Sequence, residues 1–400
     1  MSTDRTRFEY RPPTLHHGPG CVEELGDELA RLDRERALIV TGRTVGGVDE
    51  VMEPIRKGLG DRLVEEFTEV TPAKTLGTAA GAAKIVREAD IDVVIGVGGG
   101  GTLDTTKQVS VLSAFDDPID TARSMIERRS IDVPDEPLTD IVAIPTTLPG
   151  ADLSFGAGAG MAMDTEATSK AVVPSGGISD IRLMPAAVFY DAELVATTPP
   201  TIRCRSAMNG FDKGIEAIYS RDHTPVTDAT ASRGLTLLQS ALPVLRERDP
   251  PIDRLATVLE GIALVQYGLS SPDAYRASMI HAFGHALTAH YPIQQGVAHA
   301  IAAPHVLRYL FDRVDGRREL LATALGVGNT DDYATAVIGA VEETRDSLGL
   351  PSRLQSVPEA DRSDVSALAT AVLDDSFMDG VPQGLSPTQG GIEDVFTAMW

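Results

Sequence analysis

A chain of 400 residues, 42% of them apolar, exceeds what a single hydrophobic core usually organises and points to two domains. Its 58 acidic against 35 basic residues leave a formal charge of −23 at pH 7, which excludes nucleic acid and anionic membranes as partners. Two distant cysteines, Cys21 and Cys204, exclude a disulfide framework and a thiolate zinc site, and no run of about 18 apolar residues offers a membrane span. Lysine occurs only at Lys57, Lys74, Lys84, Lys107, Lys170 and Lys213. An acidic, lysine-poor surface suits a protein kept soluble where salt screens self-repulsion, so we read a cytoplasmic protein of a halophile. The segment Met1 to Arg11 is charged and carries no apolar core of an export signal.

In chain order, residues 1–20 read as extended, and Cys21 to Leu32 has helical spacing with Val22, Leu25, Leu29 and Leu32 on one face. Ala37 to Gly42 is a buried strand, Val51 to Leu59 a helix, Leu63 to Phe67 a strand and Thr75 to Asp90 an alanine-rich helix. Ile91 to Val97 is a short β-branched strand running into Gly98, Gly99, Gly100 and Gly101, after which Thr102 to Leu112 reads as a helix. Ile141 to Ile144 is a strand ending in a Thr/Pro/Gly turn, residues 156–162 are small and β-compatible, and Ala187 to Tyr190 closes the sheet. This alternation predicts βαβ units and a parallel sheet. Near Thr197-Thr198-Pro199-Pro200 the pattern turns helical and remains so to Trp400, with Gly380 to Gly391 as a loop before a short last helix.

The glycine run is the feature most specific to function. A strand that ends in glycines and opens a helix lets backbone N–H groups approach an anion, where the helix dipole favours phosphate. It matches neither G-x-G-x-x-G nor a P-loop, and a bare glycine run is equally a tight turn. The following Asp104-x-x-Lys107 makes it more specific.

GGGGTLDTTK resembles the GGGSxxDxxK motif of the iron-containing (group III) alcohol dehydrogenase family, with Gly101 in place of the usual Ser. Ile144 to Thr147 (IPTT), Asn209 to Ser220, and His281 to His285 followed by Ala303-Pro304-His305 fit the same family in order. The short Thr146 to Gly150 loop, Ala207-Met208-Asn209, Ile218-Tyr219-Ser220 and His299-Ala300-Ile301 look closest to the maleylacetate reductase branch. The resemblance implies a Rossmann-like α/β dinucleotide-binding domain over residues 1–197. An all-α domain of the dehydroquinate synthase-like fold follows over 198–400. It also implies NAD or NADP held by Gly42, Gly98, Gly99, Gly100, Gly101, Asp104, Thr146 and Thr147, a small-molecule substrate, and a homodimer. NAD-preferring relatives often carry a carboxylate near position 42. Gly42 lacks one and Arg43 follows it, so NADP should at least be tolerated.

Metal-dependent members of that family draw their ligands from the helical domain. Those positions are occupied here by Asn209, Lys213, His281 and Gln295, of which only His281 is a usual ligand. We therefore expect no tightly bound iron or zinc. The other reading is a shifted register that recruits His285, His290, His299 and His305. In place of a metal, Lys213 can polarise a carbonyl, with His281 and His285 as proton donors. A surface lysine paired with Asp212 or Glu216, and a structural histidine, are the competing accounts. The leading function is an NAD(P)-dependent oxidoreductase between an alcohol and an aldehyde or ketone. The alternatives are a maleylacetate-type reductase, an inactive NAD-binding relative, and a dehydroquinate synthase-like lyase, which would need the full metal site.

Overall fold

The computed structural model describes residues 7–166, 173–272 and 274–400. Pro12–Thr198 form one compact unit, and Pro199–Trp400 form another together with residues 7–11. In that second unit Phe8 lies under the Arg276 guanidinium, 5.6 Å from ring centre, and Tyr10 meets Tyr267 edge-on at 4.8 Å.

The α/β unit is built on strands β1 (Thr14–His17), β2 (Ala37–Thr41), β3 (Leu63–Phe67), β4 (Val93–Gly98), β5 (Asp140–Pro145) and β8 (Ala187–Tyr190). They form one parallel sheet in the order β1-β8-β5-β4-β2-β3, and β6 (Gly156–Gly160) pairs antiparallel with β7 (Ser175–Ser179) beside it. The segment between these last two contains Lys170, which lies outside the described residues. Helices α1 (Leu25–Arg31), α2 (Arg43–Gly46), α3 (Asp49–Leu59), α4 (Leu76–Glu88), α5 (Gly100–Ser113), α6 (Pro118–Arg128) and α7 (Ala192–Ala196) cover it.

Strand residues alternate between two cores. Ile39, Val93, Ile95 and Val97 pack with Leu25, Leu29, Met52 and Ile55 on one face. Leu38, Val40 and Val94 pack with Leu76, Ala80, Ala83, Val109 and Met125 on the other. Burial on both faces is why these strands read as unbroken apolar runs. The expected strands are all present. Helix α6 was not anticipated, although Asp117 and Pro118 carry its start signal: Asp117 accepts from the N–H groups of Ile119 and Asp120, both at 3.0 Å. The expected helix from Thr102 begins two residues earlier, inside the glycine run. The extended N-terminal stretch includes an edge strand, β1.

Among the described residues the helical unit holds α8 (Pro200–Tyr219), α9 (Pro225–Ala241), α10 (Ile252–Gln266), α11 (Met279–His290), α12 (Gln295–Phe311), α13 (Arg318–Ala324), α14 (Tyr333–Ser347), α15 (Val365–Leu373) and α16 (Gln389–Ala398). From Ala207 to Tyr219 almost every residue of α8 is buried, so its polar side chains are enclosed by α9, α10, α11 and α12. Among the described residues no helix is long and apolar enough to cross a membrane.

Lys107 of the glycine motif does not face the loop's ligand side. It is almost fully buried, and its ammonium donates to the carbonyls of Ala151 (2.9 Å), Ser154 (2.5 Å) and Gly156 (3.0 Å), tying the segment before β6 to α5. Charge-assisted hydrogen bonds contribute more than neutral ones, and unpaired buried carbonyls are costly. Lys107→Met should therefore lower the unfolding free energy by about 3 kcal/mol, measured by urea denaturation; a loss within error of zero would contradict this role.

Candidate functional site

At the carboxyl end of the sheet, β4 runs into Gly98, whose φ of +152° suits glycine alone. Gly99 caps α5, accepting from Thr102 N–H at 2.9 Å and Leu103 N–H at 3.1 Å. The neighbouring strand β5 supplies Thr146, whose N–H donates to Gly98 O at 2.9 Å, and then Thr147. A Cβ on Gly99 would lie 3.0 Å from Thr147 Oγ1, so the two loops are in close contact. The structure thus brings Gly98 to Gly101, Thr146 and Thr147 together at one helix N-terminus, where free N–H groups and the dipole favour an anion. Gly42 follows β2, the other neighbour of β4.

Two charged residues at this end escaped the sequence reading. Lys74, nine-tenths buried, places its ammonium 2.5 Å from Asp104 Oδ2, so Asp104 is ion-paired within the loop's first turns. Glu69 forms an isolated antiparallel bridge with Gly42 and binds the Arg43 guanidinium. Position 42 itself lacks a carboxylate, as expected, but Glu69 brings one beside it from just beyond β3, through a pairing that no local motif announces.

In the helical unit, α8 presents Asn209, Asp212, Lys213 and Glu216, with spacings of one helical turn. His281 of α11 is held at both ring nitrogens. Nδ1 meets Glu216 Oε2, and Nε2 lies 3.0 Å from Asn209 Oδ1. The other Glu216 oxygen accepts from the His281 N–H at 3.2 Å and the Tyr219 hydroxyl at 3.1 Å. Burial holds the Glu216 carboxyl above its usual range, and burial together with the Lys213 charge pushes His281 well below its own. Burial thus disfavours charge on both side chains, with Nδ1 facing Glu216 and Nε2 facing Asn209.

Lys213 is buried, with Nζ 3.4 Å from Gln266 Oε1, so it is not a surface lysine. Asp212 faces His299 Nδ1 at 3.4 Å with both residues fully buried. Burial, and then Glu216, push the Asp212 carboxyl well above its usual range, while burial and His281 push His299 well below. The His299 ring stands edge-on to His281, centroids 4.4 Å apart, in space left by Gly284, where a Cβ would come within 2.4 Å of the ring. His285, one turn beyond His281, is not part of this enclosed group. It is 44% exposed, with Nδ1 2.8 Å from Asp375 Oδ2 and its ring against Phe377. Gln295 opens α12, one turn before His299, and is half-buried.

As a donor set for a divalent ion, Asn209, Lys213, His281 and Gln295 do not fit. One imidazole is already engaged through Nε2 by an amide, and a cation stands beside it. The shifted set is dispersed, with His285 on Asp375, His290 on Asp364 and His299 beside Asp212. Among the described residues no group of three or more His, Cys, Asp or Glu side chains is placed to hold a metal.

A parallel sheet with an anion-binding glycine turn, together with a helical unit enclosing a polar cluster, defines a dinucleotide-dependent enzyme of two-unit architecture. The chain belongs to the iron-containing alcohol dehydrogenase family. The family's N-terminal model (iron-containing alcohol dehydrogenase) matches residues 12–192 and its C-terminal model residues 204–400. It is an oxidoreductase interconverting an alcohol and an aldehyde or ketone. It is 27% identical to lactaldehyde reductase of Escherichia coli K12 over 96% of both chains. It is 25% identical to the NAD-dependent methanol dehydrogenase of Bacillus methanolicus over 85% of this chain and 87% of that one. Among solved structures, sulfoacetaldehyde reductase from Bifidobacterium kashiwanohense in complex with NAD+ superposes with a TM-score of 0.85 at 19% identity, covering 99% of each chain. Maleylacetate reductase from Agrobacterium tumefaciens does so at 0.78 and 21% identity, also over 99% of each.

The glycine loop is directly testable. Gly99 has an ordinary extended backbone, and a Cβ there would press only on the Thr147 side chain at 3.0 Å, so a larger residue can be accommodated by the fold but occupies the space beside the loop. Gly99→Val should weaken dinucleotide binding at least tenfold while leaving the melting temperature near wild type, as read by cofactor fluorescence titration and thermal unfolding. Unchanged affinity in the folded variant would remove the loop from this role.

Proposed function

We propose that this enzyme binds NAD on the glycine loop of Gly98 to Gly101, with Thr146 and Thr147 alongside, and reduces or forms its carbonyl substrate without a catalytic metal, using Lys213 in the ion's place. One contact carries the reading: His281 Nε2 is hydrogen-bonded to Asn209 Oδ1, with the Lys213 charge beside the ring. The NAD-dependent methanol dehydrogenase among its relatives supports the choice of cofactor.

A bound nicotinamide supplies or accepts the hydride. As the carbonyl is reduced, negative charge develops on its oxygen, and a cation directed there lowers the barrier. Lys213 offers both that cation and an N–H donor, and Gln266 restrains its ammonium. Keeping His281 neutral avoids a second positive charge in the enclosed cluster, where like charges are costly. Both nitrogens of His281 are engaged, which makes it a positioning residue. Exposed His285, oriented by Asp375, is the better placed of the two to exchange a proton with solvent. The family resemblance further supports a cytoplasmic homodimer as the working form.

Purified enzyme assayed with NADH and a panel of aldehydes and ketones should turn over with well under one iron or zinc per chain and withstand chelator. Lys213→Met should reduce kcat about 10²–10³-fold, the usual cost of removing an oxyanion donor. Stoichiometric metal whose removal abolishes activity, or full activity in Lys213→Met, would overturn the assignment.

A further inference from the structure

The carboxyl end of β2 is where a dinucleotide fold reads the adenosine ribose, with an acidic side chain on the ribose hydroxyls or a basic one on a 2′-phosphate. In this chain neither is possible from position 42. The segment Glu69-Val70 lies alongside it: Val70 N–H donates to Thr41 O at 3.1 Å, and Gly42 bridges Glu69. A Cβ at residue 42 would sit 2.9 Å from the Val70 carbonyl oxygen, so backbone occupies the place of a side chain. The same segment delivers the carboxylate of Glu69. It accepts from Arg43 Nε at 2.8 Å and from a second guanidinium nitrogen, while Glu166 approaches the same group at 3.4 Å. Arg43 and Glu69 remain 65% and 46% exposed, open to a ligand.

We propose that Glu69 is the residue that selects the cofactor, accepting hydrogen bonds from the adenosine ribose hydroxyls and favouring NAD over NADP; this rests on the glycine loop being the dinucleotide site. Two carboxylates and one guanidinium leave the locality net negative. A 2′-phosphate, carrying close to two negative charges, meets that field and finds the only guanidinium described there already committed. A ribose hydroxyl meets an acceptor. Removing the Glu69 charge releases Arg43, which can then pair with the phosphate.

The test is a titration of NADH and NADPH binding, by cofactor fluorescence, to wild type, Glu69→Gln, Glu69→Ala and Arg43→Ala at low and physiological salt. Wild type should bind NADH at least about tenfold tighter than NADPH, the scale of one charge–phosphate interaction. Glu69→Gln and Glu69→Ala should both shift that ratio at least tenfold toward NADPH, more strongly at low salt. Combining either with Arg43→Ala should cancel the gain in NADPH affinity. Equal wild-type affinities, or a ratio unmoved in both Glu69 variants while NADH still binds, would overturn the role of Glu69 and leave the glycine loop standing. A wild-type enzyme that binds neither nucleotide would overturn both.

Discussion

A polar residue on a buried helix is costly unless it finds a partner within the protein. Helix α8 brings Asn209, Asp212, Lys213 and Glu216 into such surroundings; α10 and α11 supply partners for Asn209, Lys213 and Glu216, whereas the Asp212 oxygens lie buried beside His299 without a hydrogen bond. The Glu216–His281 contact is central to this arrangement. It fixes the ring, joins α8 to α11, and leaves Nε2 directed at Asn209. Burial disfavours charge on both partners, raising the Glu216 carboxyl above its usual range and holding His281 well below its own, the latter helped by the neighbouring Lys213.

The α/β unit solves a different problem. An anionic cofactor needs backbone N–H groups close at hand, which demands residues without side chains and loops held in place. Gly98 provides the turn, Thr146 pins it through a main-chain bond, and Lys107 fixes the following segment from inside. The motif's lysine thus contributes rigidity. The cations and carboxylates at the ligand side, Lys74 with Asp104 and Arg43 with Glu69, arrive from loops and strand ends.

Local chemistry by itself determined the layered α/β fold, the glycine turn and the helical second half, because periodicity and glycine placement act within a few residues. The loss of conventional ligands at Asn209, Lys213 and Gln295 was also legible, since the family resemblance marks those positions and residue type shows what they lack. Tertiary structure decided the partners. Glu216 closing on His281, Asp212 facing His299, Asp375 holding His285 and Glu69 reaching Arg43 join residues from separate elements, with sequence separations from 26 to 90. Such pairs are set by helix packing and strand pairing, and by the need to satisfy charge where water is excluded, none of which leaves a local signature in the chain.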